Sequence, residues 1–216
     1  MKKYLLLIVV AMSAFFISCK KEKVNGGGAI ITEPRNVENF YNVSVSGSAN
    51  VFITYGSAFD VKVKAYENIL SILETKVQNG TLLIGFKTNV NNDNSEVYIT
   101  MPALSSVTTN GSGNIDTKGN FLGMDYFAAT TSGTGIITIE KGNAKNYKIS
   151  ISGSGDVKSF GFVTDQATVS ISGSGDAELS VAQKLNATLN GSGNVYYKGN
   201  PVVDATTTGS GKVIKK

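Results

Sequence analysis

The chain has 216 residues, 41% of them hydrophobic, and a formal net charge of +4. This composition supports a packed core and shows no Lys/Arg-rich face, which argues against disorder and against nucleic-acid binding. Histidine is absent and Cys19 is the only cysteine. The sequence therefore excludes His-based nucleophile systems and zinc sites built from His or several Cys ligands.

The first eighteen residues have the pattern of a signal peptide. Lys2 and Lys3 precede an apolar run over 4–17, which at 14 residues is too short to span a bilayer comfortably. Cys19 follows Phe16-Ile17-Ser18. This stretch resembles the lipobox of bacterial lipoproteins, although Phe16 stands where Leu is usual. We predict a lipoprotein signal peptide over 1–18 and lipid attachment at Cys19, the alternatives being a simple secretory signal or an uncleaved anchor.

The segments that follow are predicted as a tether and then a cap. Residues 19–36 are expected to be a flexible tether, because "KKEKVNGGGA" (20–29) is polar and then Gly-rich. Residues 37–104 are expected to form an N-terminal β region, with strands at 59–67, 82–87 and 96–102. This region is either decorated solenoid or a small antiparallel sheet that closes the end of the next segment. Capping is the preferred interpretation, because an exposed terminal coil offers unpaired strand groups to other chains.

A Gly-x-Gly repeat dominates residues 105–216, and a near relative of it, "GSANV", lies earlier at 47–51. The first glycines of the repeat are Gly47, Gly111, Gly133, Gly153, Gly173, Gly191 and Gly209, at intervals of 64, 22, 20, 20, 18 and 18 residues. Small or β-branched residues recur four residues after the first glycine and four before it. Ser, Asn or Thr always stands immediately before it. This period of two predicts β-strands.

Two all-β architectures fit the repeat. In an antiparallel β-meander or sandwich, each Gly-Ser-Gly is a hairpin turn. In a right-handed parallel β-helix or solenoid, it is a corner that recurs once in every coil of about 18–22 residues. A second glycine corner eight or nine residues further on and the small inward residues favour the solenoid. We predict the solenoid over 105–216.

Carboxylates are the remaining candidates for chemistry. Asp156 and Asp176 occupy the same repeat position, so a solenoid would stack them about 4.8 Å apart, where they could share a proton or hold a cation. Asn114, Asn194 and Lys212 take that place in other coils. This favours a turn residue that bonds the backbone. Asp156 and Asp176 are therefore weak metal candidates, and no catalytic residue and no cofactor is predicted.

Aromatic side chains offer a second kind of site. An outer sugar-binding patch could use Tyr55, Phe59, Tyr66, Phe121, Tyr126 and Phe127. Core or cap packing is the preferred interpretation of these residues. Tyr196 and Tyr197 are adjacent, so on a strand they point to opposite faces and at most one is exposed.

The order of several pieces resembles a known family. The pieces are "VSVSGSANVFITYG", "NGTLLIGF", "VYITMPALSSVTTNGSGNI" and the later "SGSGDV" series, behind a lipoprotein-type leader. Over about residues 37–214 they resemble the "putative auto-transporter adhesin, head GIN domain" proteins, which are bacterial lipoproteins of unknown function. The resemblance implies an exported, β-helical, often lipid-anchored protein of Gram-negative bacteria with adhesion as its proposed role. It implies no catalytic or ligand residues.

The expected function is that of a non-catalytic, adhesin-like binding protein of the cell envelope. It would be an outer-membrane lipoprotein, and whether it faces the periplasm or the cell surface stays open. Its expected partners are the membrane, through the lipid on Cys19, and a glycan or an envelope or matrix protein. Self-association stays open and nucleic acid is not expected. The alternatives are an envelope carbohydrate-active enzyme and a purely structural assembly subunit.

Overall fold

The repeats stack as parallel coils. The computed structural model describes residues 23–216, and it forms a β-solenoid of about six turns. The predicted solenoid is confirmed, because strands of successive coils pair in parallel rather than as hairpins. The predicted signal peptide and Cys19 lie outside the described residues.

The described chain contains seventeen strands and one short helix. In chain order they are β1 (Val24–Asn25), β2 (Ile30–Pro34), β3 (Asn42–Gly47), β4 (Asn50–Tyr55), β5 (Asp60–Tyr66), α1 (Glu67–Leu70), β6 (Leu73–Gln78), β7 (Thr81–Phe86), β8 (Val90–Asn91), β9 (Glu96–Met101), β10 (Ser106–Gly111), β11 (Ile115–Gly133), β12 (Ile137–Gly153), β13 (Val157–Gly173), β14 (Ala177–Gly191), β15 (Val195–Lys198), β16 (Val202–Gly209) and β17 (Val213–Lys215). No helix in residues 23–216 is long and apolar enough to cross a membrane.

The first glycines of the repeat form one column, because each lies directly over its copy in the coil below. Gly153 shows why this column excludes side chains. Its φ is +118°, which disfavours L-residues, and a Cβ on it would lie 2.5 Å from the Gly133 carbonyl oxygen. That oxygen accepts hydrogen bonds from the N–H groups of Ser154 and Gly155, at 2.9 and 3.0 Å. The same pair of bonds recurs at every later corner, so glycine is needed once per coil.

The interior of the solenoid is filled with aliphatic and aromatic side chains. Alternate residues of each strand point inward, and most are less than 4% exposed. Phe127, Tyr147 and Phe162 form a cluster inside three successive coils, with ring centroids 4.9–5.6 Å apart. The Tyr147 hydroxyl donates to Ser159 Oγ, and burial raises the pKa of that hydroxyl far above its usual value.

The N-terminal region combines one parallel coil with an antiparallel cap. The first coil contains β3 and β4, and its upper neighbours are β10 and β11. After β4 the chain passes beneath this coil, where β7 and β9 pair in parallel with β3 and β4. Antiparallel β6, β5 and β2 then close this side of the sheet. The 64 residues between Gly47 and Gly111 are therefore not three regular coils, because they include the strands β5 to β9 that lie beneath the first coil.

The prediction of a flexible tether over 19–36 is wrong for much of the part that the structure describes. β1 pairs with β8, and β2 pairs antiparallel with β5. Side chains of Asn68 and Asn92 also hold the Gly-rich stretch, because both donate to backbone carbonyls of residues 25–26. The polar, Gly-rich composition indicated a free linker, whereas the edges of the cap supply backbone partners that order it.

The opposite end of the described solenoid is open. All eight residues of β16 are exposed, and the inward-facing Val203 is 37% exposed. Leu185 lies directly beneath Val203 in the coil below and is fully buried. The two ends of the solenoid therefore differ, since only the N-terminal end carries antiparallel strands.

Candidate binding surface

One flat side of the solenoid carries an ordered array of small polar side chains, which we call the hydroxyl face. It is built from seven strands: β3, β10, the C-terminal parts of β11, β12, β13 and β14, and β16. One outward column contains Ser44, Thr108, Thr130, Ser150, Ser170, Thr188 and Thr206. The next contains Ser46, Asn110, Ser132, Ser152, Ser172, Asn190 and Thr208.

The spacing of this array follows from strand geometry. Neighbouring strands lie about 4.8 Å apart, and the two columns lie about 6.6 Å apart, since they are separated by two residues of one strand. All fourteen positions are polar and none carries a charge. A third column, which starts at Asn42, includes the charged Lys148 and Asp204. Two columns of the face therefore offer regularly spaced, uncharged hydrogen-bonding groups.

The outward orientation of these residues follows from the alternation of buried and exposed residues along each strand. In β12, Tyr147, Ile149 and Ile151 are buried, so the residues between them must face outward. The residue before each first glycine is outward for the same reason. β-branched and small hydroxyl residues suit a strand surface that packs only on its inner side.

A groove lies at the N-terminal end of the hydroxyl face, and we call it the Gly85 groove. It has a volume of about 760 Å³. Its floor continues the face: β7 places Leu83 beside Ser44 and Gly85 beside Ser46. Phe86 and the chain over 87–90 form one side of the groove, and β6 contributes Glu74 and Lys76 at the other.

Asp156 and Asp176 are structural in their contacts. Asp156 Oδ1 accepts the backbone N–H of Asp176 at 2.9 Å, and Asp176 Oδ1 accepts the backbone N–H of Asn194 at 2.7 Å. Asn50, Asn114 and Asn194 make the same bond to the next coil. We call this column the Asx ladder. Residues 23–216 contain no group of three or more acidic or thiol side chains that could hold a metal ion.

The aromatic candidates divide into buried and exposed residues. Phe121 and Phe127 are buried, and Phe59 and Tyr66 pack partly against the core. Tyr55 and Tyr126 are each half exposed. Tyr55 meets Phe121 edge-on at 5.5 Å. Tyr197 packs against the core and Tyr196 faces outward beneath the Lys216 ammonium, in agreement with their opposite phases.

Sequence reasoning missed an outer aromatic pair on the neighbouring side. Phe52 of β4 stacks on Tyr98 of β9, with centroids 5.2 Å apart. The Tyr98 hydroxyl and the Lys64 ammonium both donate to Glu96 Oε2, at 2.6 and 2.9 Å. These bonds lower the pKa of Glu96, and the bond to Glu96 raises the pKa of Tyr98. Only the alternation of "VYIT" could have signalled an outward Tyr98, and nothing local pairs it with Phe52.

Several solved structures share this fold. A "putative adhesin" from Bacteroides fragilis is 18% identical, with a TM-score of 0.72 over 89% of this chain and 100% of its own. A "putative lipid binding protein" from Parabacteroides distasonis is 20% identical, with a TM-score of 0.62 over 90% of this chain and 100% of its own. A "putative adhesin" from Parabacteroides merdae is 20% identical, with a TM-score of 0.55 over 90% and 99%. These similarities establish a shared fold.

No curated protein matches the chain in sequence. A family profile, in contrast, matches residues 39–201, from just before the first coil to just after Gly199. The match includes the detour beneath the first coil as well as most of the Gly-x-Gly repeats. The chain therefore belongs to the family described as "putative auto-transporter adhesin, head GIN domain".

Proposed function

We propose that this protein is a non-catalytic, adhesin-like binding protein that recognises a glycan through the hydroxyl face. The observation that carries the proposal is the pair of uncharged polar columns repeated over seven strands. Each single hydrogen bond to a hydroxyl contributes only about 1 kcal/mol net. A polymer that meets many evenly spaced groups at once gains affinity from their number, as multivalent contacts do.

The absence of charge selects the partner. Nucleic acids and strongly anionic polymers are bound by clustered Lys and Arg, which the two columns do not contain. Neutral sugar chains present hydroxyl groups that donate and accept, as Ser and Thr do. A neutral glycan therefore complements the hydroxyl face better than a charged polymer does.

The carboxylates give little support to the alternative of a glycan-cleaving enzyme. A general acid for glycoside cleavage needs a raised pKa. The pKa of Glu96 is lowered by Tyr98 and Lys64, and the pKa of Asp125 is lowered by Lys145. Asp156 and Asp176 already accept backbone N–H groups. These carboxylates serve as stable hydrogen-bond acceptors.

The packed interior also favours binding at the surface. One similar structure is named as a "putative lipid binding protein". In the present chain the inward positions of the coils hold Val, Ile, Leu and aromatic side chains that contact one another. An acyl chain would have to displace this packing, whereas a polymer on the hydroxyl face requires no rearrangement.

A pair of tyrosine substitutions on one strand tests the role of the face. Ser150→Tyr places a bulky ring in the middle of the hydroxyl face. Thr138→Tyr places the same ring at an outward position in the N-terminal part of β12, outside the hydroxyl face. Thr138 and Ser150 are both partly exposed in the native protein. We expect wild type and T138Y to bind insoluble cellulose, chitin or mannan in a pull-down, and S150Y to lose at least ten-fold in affinity. Equal binding by all three proteins, or no binding by the wild type, would refute the proposal.

We further propose that the lipid on Cys19 anchors the protein in the outer membrane. The leader and the lone cysteine support this assignment. Cys19→Ser should abolish incorporation of labelled fatty acid and release the protein from the membrane fraction. Wild-type protein that stays unlabelled would contradict the anchor. Protease digestion of intact cells then separates a surface location from a periplasmic one.

A further inference from the structure

Gly85 is a glycine that the backbone does not require. Its φ is outside the left-handed region, unlike that of the first glycines of the repeat. A Cβ on Gly85 would lie 3.6 Å from the Ser46 carbonyl oxygen and 3.7 Å from Ser46 Cβ, which is ordinary van der Waals contact. Corner glycines such as Gly153 would instead force a Cβ against a carbonyl oxygen. A glycine within a strand often marks a bulge, a bend or a place where a ligand or another backbone approaches closely. β7 keeps a regular register with β6 on both sides of Gly85, so no bulge accounts for this glycine.

The missing side chain opens the floor of the Gly85 groove. Outward neighbours of Gly85 are Glu74 on β6 and Ser46 on β3, and Leu83 stands two residues before it. The Phe86 ring lies against Gly47 at the first corner. The groove thus has a small polar floor next to an apolar patch of Leu83 and Phe86, a combination that is common in ligand sites.

The wall of the groove is held in place by hydrogen bonds. The loop after β7 is tied to the first corner, because Ser48 Oγ donates to Asp93 Oδ2 at 2.7 Å. Asp93 Oδ1 accepts the backbone N–H of Ser95 at 3.0 Å. β8 pairs with β1, which brings Lys23 to the groove. The groove is therefore preformed and requires little ordering on binding.

The rim of the groove is positively charged. Lys23, Lys76 and Lys87 line it against one acid, Glu74, which leaves three positive charges and one negative. The Lys87 ammonium lies 3.7 Å from Glu74, and both side chains are more than half exposed, so this pair is weak. No ion pair between described residues engages Lys23 or Lys76. Two lysine ammonium groups are thus available to an anion.

We propose that the Gly85 groove binds a sugar unit that carries a carboxylate. This inference rests on the proposed function, because it places the acidic unit at the end of a glycan that lies along the hydroxyl face. Ser44 and Ser46 belong to both surfaces, so the glycan passes from the columns into the groove without a break. The sugar ring packs over Gly85 against Leu83 and Phe86, and its carboxylate meets the lysine ammonium groups, which act as point charges.

The test compares an acidic oligosaccharide with its uncharged ester. The probes are a neutral oligosaccharide that ends in a single galacturonate unit and the methyl ester of the same molecule, titrated by calorimetry into the protein that begins at residue 20. Wild-type protein should bind the acid at least ten-fold more tightly than the ester in 20 mM salt. Most of that difference should disappear in 0.5 M salt, because salt screens exposed charges.

Two groove variants and one control locate the site. Gly85→Val fills the floor with a residue suited to strands. The triple variant K23Q/K76Q/K87Q removes the charge. The control K118Q/K141Q/K158Q has the same net charge but changes exposed lysines elsewhere on the solenoid. Both groove variants should lose at least ten-fold in affinity for the acid, and the control should bind like wild type.

The outcomes separate this proposal from the proposed function. Equal binding of acid and ester, no binding of the acid, or an equal loss in the control would overturn the groove proposal. Retained binding of the acid by both groove variants would do the same. If G85V does not fold, the lysine variant still decides. Pull-down on neutral polysaccharides with S150Y reports on the hydroxyl face alone, so a failure of the groove proposal can be told apart from a failure of the proposed function.

Discussion

Gly153→Ala is the sharpest test of the stacked corners. Alanine at this position must adopt a φ of +118°, and its Cβ would lie 2.5 Å from the Gly133 carbonyl oxygen. The corner therefore has to move away from the coil beneath it. That movement disrupts the two bonds from Ser154 and Gly155 to the same oxygen.

The expected loss of stability follows from these terms. An unfavourable backbone region costs an L-residue roughly 1–3 kcal/mol. Each of the two hydrogen bonds contributes about 1 kcal/mol. The sum is about 3–5 kcal/mol, a large part of the 5–15 kcal/mol that typically stabilises a folded domain. For a chain of this size, each kcal/mol lowers the midpoint of thermal unfolding by about 2–4 °C. We therefore expect a decrease on the order of 10 °C.

Thermal unfolding followed by circular dichroism measures the effect. Gly27→Ala is the matched control, because a Cβ at Gly27 meets nothing within 4 Å and its φ is not left-handed. The midpoint of G27A should stay within 2 °C of wild type. A midpoint for G153A that matches G27A would show that the glycine column is not what holds the coils in register.

Three further substitutions probe individual contacts. Asp176→Ala removes the acceptor for the Asn194 backbone N–H and should cost about 1–2 kcal/mol in urea unfolding, whereas Asp176→Asn should stay near wild type because it keeps an acceptor. A stabilisation of wild type by calcium that D176N loses would instead support a metal role. Tyr147→Phe should make the protein less sensitive to alkaline pH. Burial raises the pKa of Tyr147 in the folded state, whereas the tyrosine of the unfolded chain ionises near pH 10. Above pH 10 the stability of the wild type therefore falls by up to about 1.4 kcal/mol per pH unit. Urea midpoints at pH 9 and 11 measure this, with the half-exposed Tyr126→Phe as control, and an unchanged pH dependence in Y147F would contradict it. Thr131→Val removes the hydrogen bond from Thr131 Oγ1 to the Gly135 carbonyl. It should cost less than about 1 kcal/mol of unfolding free energy, because Ile151 occupies the same place in the next coil without such a bond. A larger loss in urea unfolding would mean that this bond is needed at its corner.

The solenoid suits a protein that binds an extended partner. Its stability comes from contacts between neighbouring coils, so a stiff surface grows with each added repeat. The hydroxyl face spans seven strands and therefore about 29 Å at the usual strand spacing. The Asx ladder and the glycine column hold adjacent coils at one corner, which keeps the polar columns aligned. The rigid array lowers the entropic cost of contacting a polymer at many points.

The repeat could be recognised from the sequence because its signals are local. The residue before each first glycine, such as Ser152, is always small and polar. Inward residues such as Ile149 and Ile151 keep a period of two on either side. Those phases determine which side chains enter the core and which line the outer columns. Asp156 and Asp176 could also be assigned to a turn, since their place is shared with Asn114 and Asn194.

Tertiary structure alone decided how the N-terminal segments pair. No local sequence pattern predicts that β7 pairs with β3 or that β2 pairs with the edge of β5. Backbone hydrogen bonds between distant strands depend little on which side chains the strands carry. The Gly-rich stretch before β2 illustrates this, since its composition indicates a linker while the cap orders it.

The candidate sites divide in the same way. The columns of the hydroxyl face follow from the alternation of inward and outward residues, which is the same before every first glycine. They can therefore be predicted from the sequence. The Gly85 groove depends on Lys23, Ser46 and Lys76, which are brought together by β1, β3 and β6. Gly85 lacks the Gly-x-Gly context of the corner glycines, but its φ and the space above it are properties of the folded backbone. The sequence thus determined the repeating surface, and long-range pairing created the groove at its end.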